Sequence, residues 1–146
     1  MSTPAASSPD ERIVDTMVEL ARAAKSHRII VAGSDAFDAY LALLRRGFAR
    51  TATTTTARFP CGQFDVALVA GRHTVQALEN LLVRIVCFLN ARATVAIWVD
   101  ADQQRGRRIQ ALLERLGFRV EAGTSCADGF VLAAQRREWG QAANVA

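Results

Sequence analysis

The chain has 146 residues, of which 51% are hydrophobic and 22% are charged, the composition of a globular domain with a full hydrophobic core. No apolar run reaches the roughly 18 residues that span a bilayer, and no secretory signal pattern opens the sequence, so we expect a cytoplasmic protein without a membrane partner. The net charge of +4 excludes a strongly anionic surface and only weakly favours anionic partners.

Three widely spaced cysteines without a Cys-x-x-Cys pair predict free thiols in a reducing compartment. The two histidines, His27 and His73, have no companions at ligand spacing, so no metal site is predicted. Cys87 is expected in the core, on the apolar side of a helix.

The first predicted element is a helix with a strong start signal. Ser8 is its N-cap, Pro9 its first residue, and Glu11 completes a capping box. The apolar spacing carries this helix to about Ser26. Residues 1–7, which are small and polar, are expected to be disordered.

A buried strand and a second helix follow. The β-branched run at 28–33 is typical of a buried parallel strand. Ser34 or Asp35 can cap the next helix, which Gly47 ends. The threonine-rich segment at 49–56 is the second predicted strand, followed by a loop at 57–63.

The second half of the chain continues the alternation and closes with two strands. Thr74 marks one helix start, and Asp100 or Asp102 marks the next. In chain order, the predicted elements are a strand at 64–70, a helix at 74–90, a strand at 93–99, a helix from about 102 to Gly117, and strands at 119–122 and 130–135. The glycine-flanked loop at 123–129 between the last two strands indicates a β-hairpin.

This order predicts a single α/β domain at 8–139, followed by a frayed tail at 140–146. Alternating strands and helices require crossover connections and a parallel sheet. We therefore expect three layers: a Rossmann-like sheet of about six strands, mostly parallel with a C-terminal antiparallel hairpin, and helices on both faces.

The layout resembles the class I S-adenosylmethionine (SAM)-dependent methyltransferase fold over about residues 10–137. Residues 64–69, Phe-Asp-Val-Ala-Leu-Val, look like the fourth strand of that family. Residues 112–118 resemble its last helix with a Gly-Phe turn, and 119–122 its penultimate strand. The likeness is one of layout, without a diagnostic motif.

The chain departs from the family where the cofactor would bind. The family's Gly-x-Gly loop corresponds to Gly33-Ser34-Asp35-Ala36-Phe37, in which one glycine remains. Threonines replace the ribose-binding acid at the end of the second strand, and the 57–63 segment leaves little room for the family's third strand and helix. These departures predict a degenerate cofactor site. If SAM binds, the resemblance implies contacts at Gly33, Ser34, Asp35, Thr55 and Gly71.

Ligands of open parallel sheets bind outside the carboxyl ends of the strands. There His73 is a candidate general base, with the alternative of an ordinary loop histidine. Asp100 is a candidate to assist catalysis, with the alternative of a plain cap for the next helix. Cations at a helix start oppose the helix dipole, so a bound anion or a solvated face can explain the arginines of the last helix. The candidate anion-binding residues are Arg72, Arg105, Arg107 and Arg108.

Three functional hypotheses follow. The first is a methyltransferase-like domain that has lost catalysis and acts as a binding or assembly module, in a homodimer or with another protein. The second is a minimal SAM-dependent methyltransferase. The third is a module for an anionic ligand or nucleic acid, although no nucleic-acid-binding motif is present.

Overall fold

The computed structural model describes residues 9–55 and 62–137. These residues contain four α-helices and six strands. In chain order they are α1 (Pro9–Ala21), β1 (Ile29–Ala32), α2 (Ala36–Arg45), β2 (Thr51–Thr53), β3 (Phe64–Val69), α3 (Val75–Ile85), β4 (Leu89–Asp100), α4 (Gln103–Arg115), β5 (Phe118–Cys126) and β6 (Gly129–Arg136). The predicted tails at 1–7 and 140–146, the Ser8 cap and most of the 57–63 loop lie outside the described residues.

The strands form one sheet in the order β2-β1-β3-β4-β6-β5. β1 is parallel to both β2 and β3, and β3 is parallel to β4. β6 runs antiparallel to both of its neighbours, β4 and β5. The predicted α/β architecture, a mostly parallel sheet ending in an antiparallel hairpin, is therefore confirmed.

Two apolar cores sandwich the sheet because successive side chains of a strand point to opposite faces. In β1, Ile29 and Val31 pack with α1 and α2, whereas Ile30 and Ala32 pack with α3 and α4. All four residues of β1 are fully buried, which explains why this strand has no polar position. Within the described residues, no helix is both long and apolar enough to cross a membrane.

Local signals located several element ends correctly. The Thr74 hydroxyl accepts a hydrogen bond from the Ala77 backbone N–H at 3.1 Å and caps α3. Gly47 and Gly117 end α2 and α4 with φ angles of +91° and +94°. These backbone conformations favour glycine, as the sequence predicted.

α1 is shorter than predicted and ends at Ala21 rather than near Ser26. Arg22 adopts a φ of +53°, a left-handed conformation that interrupts the helix. The Ala23 N–H then bonds back to the Val18 carbonyl. The chain thus changes direction before β1 begins.

Other strand and helix boundaries differ from the predicted ones because pairing between strands outweighed the local sequence pattern. β2 has only three of the eight residues predicted at 49–56, whereas β4 extends back to Leu89, which pairs with Phe64. α3 therefore ends at Ile85, and a 3₁₀ turn (Val86–Phe88) follows. This turn leaves Cys87 exposed, so its predicted place in the core is wrong.

The closing hairpin is also longer than its sequence pattern indicates. β5 continues to Cys126, so the predicted 123–129 loop reduces to a two-residue turn at Ala127 and Asp128. Pairing along β6 and a hydrogen bond from the Trp98 Nε1–H to the Cys126 carbonyl (3.1 Å) stabilise this extension.

Neighbouring positions of α3 test this layer arrangement. Leu82 is fully buried, whereas Val83 is 55% exposed. We expect Leu82→Ala to lower the free energy of unfolding by about 2–5 kcal/mol because it leaves a cavity in the core. We expect Val83→Ala to change it by less than about 0.5 kcal/mol. Urea denaturation measures both, and equal losses would contradict the observed orientation of α3.

Candidate functional site at the carboxyl edge of the sheet

Two loops meet at the carboxyl edge: residues 33–35 after β1, and residues 70–74 after β3. Because β1 and β3 are neighbours in the sheet, their loops leave it side by side. The Ala70 N–H donates to the Ala32 carbonyl at 3.0 Å, and the Asp35 N–H donates to the Ala70 carbonyl at 3.4 Å. The two loops are therefore joined through their backbones.

Glycine is required on both sides of this contact. Gly33 and Gly71 have φ angles of +110° and +108°. A methyl group added to Gly33 would overlap the Ala70 carbonyl oxygen, and one added to Gly71 would overlap the Ser34 hydroxyl. The space that each glycine leaves open is thus taken up by the opposite loop of the same chain.

The His73 ring closes this contact from the side. Its Nε2 accepts a hydrogen bond from the Ser34 N–H at 3.3 Å and lies 3.4 Å from the Ala70 carbonyl oxygen. The side chain is partly buried. In this geometry Nε2 of His73 faces the protein's own backbone.

Asp35 occupies the N-cap position of α2, but its side chain makes no capping hydrogen bond. The carboxylate lies instead beside the cleft between α1 and α2. At the end of β2, the Thr53 hydroxyl lies 3.0 Å from the hydroxyl of Thr55.

Asp100 is the centre of a charged cluster at the end of β4. One carboxylate oxygen contacts Arg105 at 2.9 Å, and the other contacts Arg72 at 3.2 Å. The Arg72 guanidinium also lies over the Trp98 ring, 5.2 Å from its centre, and 4.0 Å from Asp128. Asp100 therefore holds two arginines in place.

Asp102, rather than Asp100, caps α4: its Oδ1 accepts a hydrogen bond from the Gln104 N–H at 2.9 Å. It also lies 3.8 Å from Arg105. These carboxylates offset the unfavourable placement of cations at a helix start. No bound anion is needed to explain Arg105.

The other predicted anion-binding residues point to different places. Arg108 pairs with Glu79 at 3.0 Å and links α4 to α3, whereas Arg107 is exposed and has no ion pair to a described residue. The structure therefore brings Arg72 and Arg105 together around Asp100 and separates Arg107 and Arg108 from them.

Concave regions of very different size lie around the sheet among the described residues. The space beside Gly71, His73 and Asp100 measures only about 10 Å³, roughly the room of one water molecule. A cleft of about 260 Å³ lies between α1 and α2, with Gly71 at its inner end. A larger groove of about 880 Å³ lies at the opposite, amino end of the strands.

Neither the place of the Trp98 ring nor the groove at the amino end could be predicted from the sequence. Trp98 looked like one more apolar residue of a buried strand, and only the pairing of β4 with β6 places it beneath Arg72. In the groove, Asp65 accepts hydrogen bonds from the Arg28 N–H and the Asn90 amide, both at 2.8 Å. The one visible signal was a charged residue, Asp65, within an otherwise apolar strand. In the described part of the chain, no three His, Cys, Asp or Glu side chains are arranged to hold a metal ion.

The chain matches no family model and no curated protein. Its fold is similar to that of several solved methyltransferases. The 1,6-didemethyltoxoflavin-N1-methyltransferase of Burkholderia thailandensis, solved with S-adenosylhomocysteine, has a TM-score of 0.61 and 15% identity, over 88% of this chain and 80% of that one.

Two further structures have the same fold. The release-factor-specific protein-(glutamine-N5) methyltransferase of Alicyclobacillus acidocaldarius has a TM-score of 0.59 and 16% identity, over 94% of this chain and 99% of that one. A SAM-dependent methyltransferase of Aquifex aeolicus has a TM-score of 0.62 and 12% identity, over 86% and 90%. The described chain therefore has the fold of SAM-dependent methyltransferases, as its layout predicted.

Substitution of glycine measures how much the contact between the two loops contributes to the free energy of unfolding. Gly33→Ala should lower the free energy of unfolding by at least about 2 kcal/mol, because it combines backbone strain with a backbone overlap. Gly117 has a similar φ but open space around it, so Gly117→Ala should cost about 1 kcal/mol from strain alone. Equal losses in urea denaturation would show that the loops are not in contact.

Proposed function

We propose that this domain is a methyltransferase-fold module that does not transfer methyl groups and that acts by binding or assembly. The observation that carries the proposal is the direct contact between the loops at Gly33 and Ala70. In a cofactor-binding loop of this kind, glycine lets the backbone approach the ligand closely. Here the protein's own carbonyl group takes that space.

The residues present fit SAM poorly at the family's position. The cradle at Gly33 is filled, and threonine hydroxyls stand in place of the ribose-binding acid at the end of β2. The cavity of about 10 Å³ beside Gly71, His73 and Asp100 is far below the roughly 300 Å³ at which small-molecule sites begin, and the cleft of about 260 Å³ that also reaches Gly71 is slightly below it. No single substitution would restore all three features.

The candidate catalytic residues also favour a role in holding the structure together. The Nε2 of His73 accepts a hydrogen bond from the Ser34 N–H, and Asp100 pairs with two arginines. A general base needs a lone pair directed toward the proton that it removes. For both residues, the contacts observed lie within the protein.

A minimal SAM-dependent methyltransferase is the second candidate, favoured by the cleft between α1 and α2. Glu11, Asp35 and Asp38 line this cleft together with Arg45, and carboxylates attract the sulfonium and ammonium groups of SAM. Its volume of about 260 Å³ is close to the lower limit for a small-molecule site. The anion-binding hypothesis has less support because Arg105 and Arg108 are in ion pairs.

Isothermal titration calorimetry with SAM and with S-adenosylhomocysteine separates the first two candidates. We expect no binding tighter than about 1 mM, with a methyltransferase known to bind both as the positive control. A Kd near 10 µM would overturn the non-catalytic proposal, and the same ligand at about 1 mM would then stabilise the fold by about 2.7 kcal/mol.

The paired variant Asp35→Asn/Asp38→Asn locates any binding that is found. If SAM binds in the cleft between α1 and α2, this variant should weaken it at least about tenfold, because two carboxylates facing a cation are neutralised. Arg107→Gln, a change at an exposed position on α4, is the control and should leave the affinity unchanged.

A further inference from the structure

The early end of α1 leaves part of the sheet uncovered at the amino end of the strands. The helix stops at Ala21, and beside this end lies the groove of about 880 Å³, here called the amino-end groove. Ala122 and Ala133, which pair across β5 and β6, contribute small side chains to its floor. The volume lies within the range of roughly 300–1,000 Å³ that is typical of small-molecule sites.

Arg22 ends α1 in a backbone conformation that favours glycine. Its φ is +53°, and the helix closes with the pair of backbone hydrogen bonds that glycine usually completes. Gly47 and Gly117 hold the same position at the ends of α2 and α4. An arginine in this conformation is strained, and strained residues cluster at functional sites. The Arg22 side chain lines the amino-end groove.

The other basic side chains along the groove are hydrogen-bond donors of the same kind. Arg92 and His27 line it together with Arg22. The Nδ1 of His27 accepts a hydrogen bond from the Ala24 N–H at 2.9 Å, so in the neutral ring Nε2 carries the proton and donates. Two guanidinium groups and an imidazole N–H form a set of donors that suits an anion.

The carboxylates that line the groove have partners within the protein. Asp65 accepts hydrogen bonds from the Arg28 N–H and the Asn90 amide, both at 2.8 Å. Glu121 lies 3.9 Å from the Arg119 guanidinium. The charges that surround the amino-end groove therefore favour an anionic ligand over a cationic one.

We propose that the amino-end groove binds an organic phosphate of nucleotide size. Arginine forms paired hydrogen bonds with phosphate oxygens, and Arg22, Arg92 and His27 together can donate to the three terminal oxygens of a phosphate monoester. The uncharged part of the ligand then lies on the small side chains of Ala122 and Ala133. Inorganic phosphate alone leaves most of the groove empty.

This inference rests on the binding role proposed above and names the class of ligand. The amino-end groove is at the opposite end of the strands from the cofactor position of open parallel sheets, and the arginines at the start of α4 take no part in it. A titration with SAM and a titration with an organic phosphate can therefore fail independently of each other.

Isothermal titration calorimetry of the full chain with uridine 5′-monophosphate, uridine and inorganic phosphate tests the ligand class. We expect uridine 5′-monophosphate to bind with a Kd between about 10 µM and about 1 mM, at least about tenfold tighter than uridine or inorganic phosphate, because only the whole molecule reaches both the cations and the floor. No saturation up to about 5 mM would overturn the proposal. Equally tight binding of inorganic phosphate would also overturn it, since a bare anion contact would then suffice.

Substitution of Arg22 separates its binding role from a structural one. Arg22→Gly should weaken binding of uridine 5′-monophosphate at least about tenfold without lowering the midpoint of urea unfolding, because glycine relieves the backbone strain while the cation is lost. Arg12→Gln removes the same charge roughly 15 Å away toward the other end of α1, and this matched control should leave the affinity unchanged. Equal weakening by both variants, or an unchanged affinity in Arg22→Gly, would overturn the proposal.

Ala122→Leu tests the floor of the groove. The larger side chain should weaken binding of uridine 5′-monophosphate at least about fivefold, whereas any weak binding of inorganic phosphate should stay the same, because only the nucleoside lies on the floor. Equal affinity of Ala122→Leu and the wild type for uridine 5′-monophosphate would contradict this placement. Displacement of the bound nucleotide by S-adenosylhomocysteine would put both ligands in one site and would overturn the amino-end groove as that site.

Discussion

The contact between Gly33 and the Ala70 carbonyl is the constraint on which the carboxyl edge of this sheet depends. Adjacent parallel strands send their loops out side by side, and here each loop has a glycine where the other needs room. Because this backbone contact is close, Ser34 lies against Gly71 and His73 lies against both loops. The fold thus uses, for its own packing, the conformational freedom with which related folds accommodate a cofactor.

Ion pairs within the protein also hold side chains in place at the same edge of the sheet. Asp100 ends the central strand β4 and pairs with two arginines, one from the loop after β3 and one from the first turn of α4. Arg105, at the start of α4, is thereby balanced within the protein and does not require an external anion. Since one fold can serve many functions, the likeness to methyltransferases establishes the architecture, whereas activity depends on these particular contacts.

Much of the fold could be predicted from local chemistry. β-Branched runs, the Thr74 cap, and the glycines at 47 and 117 act within a few residues of themselves, so the sequence reveals them directly. Boundaries set by distant partners could not be predicted: β4 begins at Leu89 because β3 pairs with it there, and Cys87 is exposed because that early start shortens α3. At the carboxyl edge of the sheet, the sequence indicated which residues the loops carry, but not the partners of those residues.

The sequence by itself determined the order of the elements, the two apolar faces of the sheet and the positions where glycine is needed, because these depend on periodicity and backbone conformation. Only the tertiary structure decided that the glycine at 33 makes room for the carbonyl group of residue 70. It also decided that Asp100 holds Arg72 and Arg105, and that Phe37 remains at the surface. The physical reason is that each outcome depends on strand order and register, which bring together residues far apart in the chain.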